Sequence, residues 1–204
     1  EDFYIGKSKF YAFELINKWP KWEKNILNIC GEKFSGKTHL SNIFLKKFHG
    51  IKIESTLLND ENLKTIKPFQ NIVLEDLNLD INEKLIYSLL NIIDQDNKFL
   101  IITSLEPISK IDFKLNDLKS RTKNCLLAKI ENPDDELMFA LILKNLSDRQ
   151  ITLDKKLIDF IIKRVERSYG KIFEFIYKID KISLKKKKSI DFKIINEALE
   201  EISE

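Results

Sequence analysis

The stretch Gly31-Glu32-Lys33-Phe34-Ser35-Gly36-Lys37-Thr38 is a complete G-x-x-x-x-G-K-[ST] phosphate loop. Its two glycines let the backbone wrap so that successive N–H groups point at one phosphate chain. Lys37 brings a mobile cation to the β- and γ-phosphates, and the Thr38 hydroxyl is placed to hold Mg²⁺. Asn25-Ile26-Leu27-Asn28-Ile29-Cys30 before the loop reads as a buried strand. His39 to Phe48 after it reads as a helix whose N-terminus faces the anion. Together they predict a bound nucleoside diphosphate or triphosphate, cradled by Gly31, Lys33, Phe34, Ser35, Gly36, Lys37, Thr38 and His39.

Outward from the loop, five short apolar runs alternate with helical patterns. The runs are Ile26–Cys30, Ile51–Ile53, Ile72–Leu74, Phe99–Thr103 and Leu126–Ile130. Helical spacing covers Thr38–Phe48, Asn59–Lys67, Glu83–Asp94 and roughly Leu115–Ser120, with a further amphipathic helix over Lys9–Lys18 closed by Trp19-Pro20. This alternation predicts an α/β core with a five-stranded parallel sheet and crossover helices. After Asn132-Pro133 strand signals stop, and amphipathic helices are expected over Asp134–Leu146, Asp154–Arg164, Tyr169–Ile182 and Phe192–Ile202. The expected organisation is a nucleotide-binding core over 1–132 and a small all-α lid over 133–204, which resembles the layout of an AAA+ module.

At 204 residues, with 43% hydrophobic and 33% charged residues, the composition is that of a soluble globular protein. No run approaches the ~18 apolar residues of a membrane span. A net charge of +3 is too mild to announce nucleic acid. Cys30 and Cys125 lie in apolar stretches read as strands, as expected of small buried residues in a reducing cytoplasm, and no His or Cys sits at metal-ligand spacing. The chain starts at Glu1-Asp2-Phe3 without an initiator methionine or a signal-like segment, so a trimmed or partial product is expected.

A phosphate loop needs an acidic partner on a neighbouring strand to hold Mg²⁺ and orient water. Ile72-Val73-Leu74-Glu75-Asp76 provides two carboxylates at a strand end. In one register Glu75 takes the metal side with Thr38, and Asp76 takes the water side. In the other, Asp76 takes the metal and Leu77 leaves the water site empty. Nucleotide binding survives either register; fast intrinsic hydrolysis does not follow. Thr103-Ser104 ends a strand where a polar γ-phosphate sensor would stand, with Ser104 as the candidate. In Leu118-Lys119-Ser120-Arg121, the arginine precedes the last core strand, where AAA+ modules carry a finger pointing out of the subunit. An arginine delivered in trans is worth roughly 10³–10⁵ in rate.

The set Asp2-Phe3-Tyr4-Ile5, Asn17-Lys18-Trp19-Pro20, GEKFSGKTHL, LEDLN, DLKSR, ENPDDELMFALILKNLSDRQ and RVERSYGKIFEFIYKID runs in order along the chain. It resembles the Hda-type regulatory inactivators of the DnaA initiator, particularly their alphaproteobacterial branch. The resemblance implies an AAA+ protein that binds ADP or ATP with Mg²⁺ and docks on ATP-bound DnaA. It would stimulate hydrolysis there through Arg121, with little or no ATPase activity of its own. It implies a base pocket that includes Phe3 and Ile5, and a sensor arginine on the lid, for which Arg167 is favoured over Lys171. It also implies partnership with the replicative sliding clamp, through a motif that family members carry upstream of the Asp-Phe start. DNA would be met only indirectly, no membrane is involved, and a homodimer stays open. The alternative is a helicase-loader or transposition-helper ATPase. A kinase is disfavoured, because Arg121 is the core's only arginine. Gln150-Ile151-Thr152-Leu153 faintly resembles the clamp motif but is expected to be core between lid helices.

Overall fold

The computed structural model describes residues 7–78 and 80–203. The chain divides into two compact units, Lys7–Glu131 and one built on Asn132–Glu204, each described by itself below.

In the first unit, strands β1 (Ile26–Cys30), β2 (Ile51–Glu54), β3 (Asn71–Leu77), β4 (Phe99–Ser104) and β5 (Leu126–Lys129) form one sheet. Every pairing is parallel and the order is β2-β3-β4-β1-β5, so β1 lies between two strands that follow it in sequence. Its five residues are all buried, which is why Ile-Leu-Asn-Ile-Cys reads as a nearly continuous apolar run. Alternation splits the sheet into two faces. Ile26, Ile53, Ile72, Leu74, Leu100 and Ile102 join one core with side chains of the helices α3 (Asp60–Thr65), α4 (Glu83–Gln95) and α5 (Asn116–Lys123). On α4, Ile86, Leu89, Leu90 and Ile93 are buried, the i, i+3, i+4, i+7 stripe expected from sequence. Asn82 caps α4 by accepting from the Lys84 N–H, as an N-cap side chain should.

Against other parts of the sheet pack α1 (Lys7–Asn17) and α2 (Lys37–Phe48). An aromatic group joins them: Trp19 lies edge-on to Phe44 and Phe99, and Trp22 stacks on Phe44 with centroids 5.7 Å apart. The Trp22 indole N–H donates to the Leu15 carbonyl, tying this group back to α1.

The second unit holds α6 (Asp135–Asp148), α7 (Lys155–Ile162), α8 (Tyr169–Lys186) and α9 (Phe192–Ser203), with no strand among the described residues. Asp134 and Ser168 cap α6 and α8 by accepting from the N–H groups of Leu137 and Lys171. Met138, Ile142, Ile158, Ile161, Phe175, Ile176, Ile179 and Ile195 fill the common core, and Ile151 and Leu153 pack against it, the role sequence predicted for that segment.

Two local expectations change. Strand β3 does not stop at Leu74 but runs to Leu77, with consequences at the site. Cys125 is half-buried and lies just before β5 rather than inside it.

Candidate nucleotide-binding site

The phosphate loop leaves the C-terminal end of β1, the edge of a parallel sheet where ligands bind. Two glycines are there for different reasons. Gly36 has φ 93°, a left-handed conformation that costs a glycine little, and it opens α2 directly. At Gly31 the constraint is space, because a Cβ would lie 3.0 Å from both the Ile130 Cβ and the Ser35 Oγ. Phe34 also takes a positive φ, of 65°, and its ring is 60% exposed at the loop's crest. Inside the curl, Lys37 is buried and donates from Nζ to the carbonyls of Gly31 at 2.9 Å and Glu32 at 3.0 Å. Burial pushes its ammonium below the ordinary lysine pKa, while the charges of Asp76 and Glu75 act in the opposite direction. Ser35 Oγ is buried and has no hydrogen-bond partner among the described residues. Thr38 is exposed and His39 half-buried at the start of α2. A buried cation, an orphan hydroxyl and a helix N-terminus without an acidic residue in its first turn fit an anionic ligand.

The two carboxylates of β3 part company at a bulge. Leu74 pairs with Ile102 and Leu77 with Ser104, so Glu75 and Asp76 stand opposite the single residue Thr103. Asp76 absorbs the extra residue with φ 52°. Its N–H donates to the Thr103 Oγ1 at 2.9 Å and its carbonyl accepts from the Ser55 Oγ at 2.6 Å, which holds an uncommon backbone conformation in place. Its side chain is consequently exposed, whereas Glu75 is buried against α2. Ser41 Oγ lies 2.5 Å from the Glu75 Oε1 and 3.0 Å from the Thr38 carbonyl. Glu75 is thus tied by hydrogen bonds through Ser41 to the helix turn that carries Thr38, whereas Asp76 acts on that turn through its charge on Lys37. Among the described residues no three acidic, His or Cys side chains converge to form a cation cage, so Mg²⁺ held here would need phosphate oxygens as well.

Of the remaining sequence-predicted residues, Ser104 borders the loop, its carbonyl accepting from the Gly31 N–H at 3.2 Å. Ser104 is buried and its hydroxyl is engaged: it donates to the Glu106 carbonyl at 2.6 Å and accepts from the Asn28 Nδ2 at 2.9 Å. Arg121, in the last turn of α5, pairs through Nη1 with Asp94 at the end of α4. Asp94 in turn accepts from the Asn25 side chain, immediately before β1. Arg121 therefore belongs to the N-terminal edge of the sheet, whereas the loop occupies the opposite edge. Five strand residues separate the two edges, about 17 Å. In the second unit, Arg167 donates from Nε and Nη2 to the Asp135 Oδ1 at 3.1 and 2.8 Å. Phe3 and Ile5 lie outside the described residues. Sequence reasoning passed over Asn28, Ser41, Ser55, Tyr87 and Asp94; only Asn28 and Ser41 carried a signal, as polar residues at buried positions of an apolar pattern.

No family model matches the chain. It is 22% identical to the chromosomal replication initiator protein DnaA of Caldanaerobacter subterraneus subsp. tengcongensis over 99% of its own length and 52% of that protein. It is 26% identical to an uncharacterized protein of Haemophilus influenzae, covering 98% of this chain and 92% of that one. The chain spans about half the length of the DnaA relatives it matches. Among solved structures, domain III of Thermotoga maritima DnaA superposes with a TM-score of 0.75 at 21% identity, over 98% of this chain and 94% of the other. AMPPCP-bound DnaA from Aquifex aeolicus gives 0.69 at 21%, over 87% and 63%. A mutant of the T. maritima RuvB protein gives 0.72 at 13%, over 96% and 69%. The fold is that of an AAA+ P-loop module. Within that class it is the fold of the DnaA initiator's domain III.

Proposed function

We propose that this chain is a DnaA-related AAA+ regulator that binds ADP or ATP with Mg²⁺ on the Gly31–Thr38 loop. It stimulates hydrolysis of DnaA-bound ATP in trans through Arg121, working with the sliding clamp to restrain re-initiation. The observation that carries the trans role is the position of Arg121. It sits at the N-terminal edge of the sheet, about 17 Å along β1 from the chain's own loop, so its charge serves another subunit's phosphates if it serves any. The low-identity similarity to DnaA over the whole chain supports the choice of partner.

At the chain's own loop, Lys37 exchanges its two carbonyl partners for phosphate oxygens, and the Ser35 hydroxyl and the first N–H groups of α2 complete the cradle. Thr38 and Glu75 hold the metal side, with Ser41 keeping Glu75 in register, and Asp76 faces the water side. Mg²⁺ held there would supply positive charge to offset that of the phosphates. Ser104, committed to Asn28 and Glu106, has no hydroxyl hydrogen to spare for a γ-phosphate, which agrees with a nucleotide switch that hydrolyses slowly. Arg167 on the helical unit is kept as the sensor residue of this reading.

The test follows phosphate release from ATP prebound to DnaA, with DNA-loaded clamp and this protein carrying its native N-terminus. Acceleration is expected. Arg121→Ala should abolish it while leaving nucleotide affinity intact, and Lys37→Ala should lose nucleotide. Equal loss of nucleotide binding in both variants would overturn the trans role. No acceleration with binding intact would favour a helicase-loader type of ATPase.

A further inference from the structure

Arg121 does not hang free at the end of α5. Its backbone carbonyl accepts from the Asn124 N–H at 3.0 Å and from the Cys125 thiol at 3.5 Å, closing the helix around it. Its guanidinium is gripped twice from α4. Nη1 pairs with the Asp94 carboxylate, and the Cζ stands 5.4 Å from the centroid of the Tyr87 ring. Tyr87 and Asp94 are seven residues apart, two turns along one helix face, so a single rigid element presents both. Asp94 is itself oriented: its other oxygen accepts from the Asn25 Nδ2 at 3.1 Å. The side chain of Arg121 stays 32% exposed.

The placement of Asp94 is informative. It lies in the last turn of α4, where the helix dipole disfavours an acidic residue, and no basic residue of α4 offsets it there. An exposed ion pair of this kind adds little to stability. What it does supply is direction: one edge of the guanidinium is tied down, one face is covered, and the rest points outward.

Resting on the trans-acting reading of Arg121, we infer that Asp94 and Tyr87 are positioning residues that preorganise the Arg121 guanidinium for a partner's phosphates. The finger then meets the partner without first having to find its orientation. Because orientation enters the rate rather than the docking, the loss should appear in the maximal stimulated rate.

The experiment titrates this protein, full length, against ATP-loaded DnaA and DNA-loaded clamp, and reads the maximal rate and the half-saturating concentration separately. Asp94→Asn should lower the maximal rate about tenfold or more. The half-saturating concentration should move less than about twofold, and unfolding and the chain's own nucleotide affinity should be unaltered. Asp94→Glu should recover part of the rate. Tyr87→Phe, which keeps the aromatic face, should behave as wild type, and Tyr87→Ala should not. A wild-type or raised maximal rate in Asp94→Asn, with Arg121→Ala inactive, would overturn the positioning role alone; a raised rate would make Asp94 a restraint. An active Arg121→Ala would instead remove the finger reading and this inference with it.

Discussion

Asn28 is the polar residue in the middle of the most buried strand, 1% exposed, and every polar atom of its side chain is engaged. Its Nδ2 donates to the Ile102 carbonyl at 3.1 Å and to the Ser104 hydroxyl at 2.9 Å. Its Oδ1 accepts from the Ile108 N–H at 3.0 Å. Asn28→Ala would leave that N–H without its partner beside a residue only 1% exposed, which costs about 1–3 kcal/mol. The Ile102 and Ser104 acceptors lose less, since Ser104 still bonds the Glu106 carbonyl. A partly unfilled space adds to this, for a total of about 2–5 kcal/mol. Urea unfolding followed by tryptophan fluorescence isolates the effect. Both tryptophans, Trp19 and Trp22, pack on Phe44 and Phe99 in the α/β unit, so the signal reports that unit and not the helical one. Asn28→Asp keeps the acceptor for Ile108 but removes both donors and buries a charge, and should be at least as damaging. An unfolding free energy within ~0.5 kcal/mol of wild type for Asn28→Ala would refute the reasoning, because the orphaned N–H would then have found water or another partner.

Two further outcomes are expected. In Gly50→Ala the new Cβ would lie 2.3 Å from the Asn71 carbonyl oxygen and 2.9 Å from the Leu45 Cδ2. The start of β3 must therefore shift, at a cost of about 3 kcal/mol measurable in the same unfolding assay. Lys37 gives a pH dependence: burial holds its folded pKa below the unfolded value, so between those two values the unfolded chain binds more protons and stability rises with pH. Lys37→Met should remove this alkaline rise, checked by comparing urea midpoints of the two proteins at fixed ionic strength; parallel curves would contradict it.

Much of the fold was legible because it rests on short-range pattern. Buried parallel strands need apolar runs, α4 needs its stripe, and the phosphate loop needs glycine at the positive φ of position 36 and lysine one step later. The carboxylates of β3 were legible as residues but not as geometry. Nothing within Leu74-Glu75-Asp76-Leu77 announces a bulge, which arises because Thr103 and Ser55 hold the Asp76 backbone from two other segments. The expectation that Ser104 faces a phosphate failed to anticipate Asn28 and Glu106, which claim its hydroxyl.

What the sequence by itself determined is the chemistry available: a phosphate loop, a pair of acids toward the end of another strand, and an arginine before the last strand. Such motifs are contiguous, and their meaning lies in residue type at fixed spacing. What only the tertiary structure decided is which acid is buried, where Ser104 spends its hydrogen bonds, and that Arg121 sits across the sheet from the loop, against Tyr87 and Asp94. Apart from the Ser104–Glu106 bond, those are pairings between residues from 27 to 76 positions apart, set by strand order and register, and no local pattern encodes them.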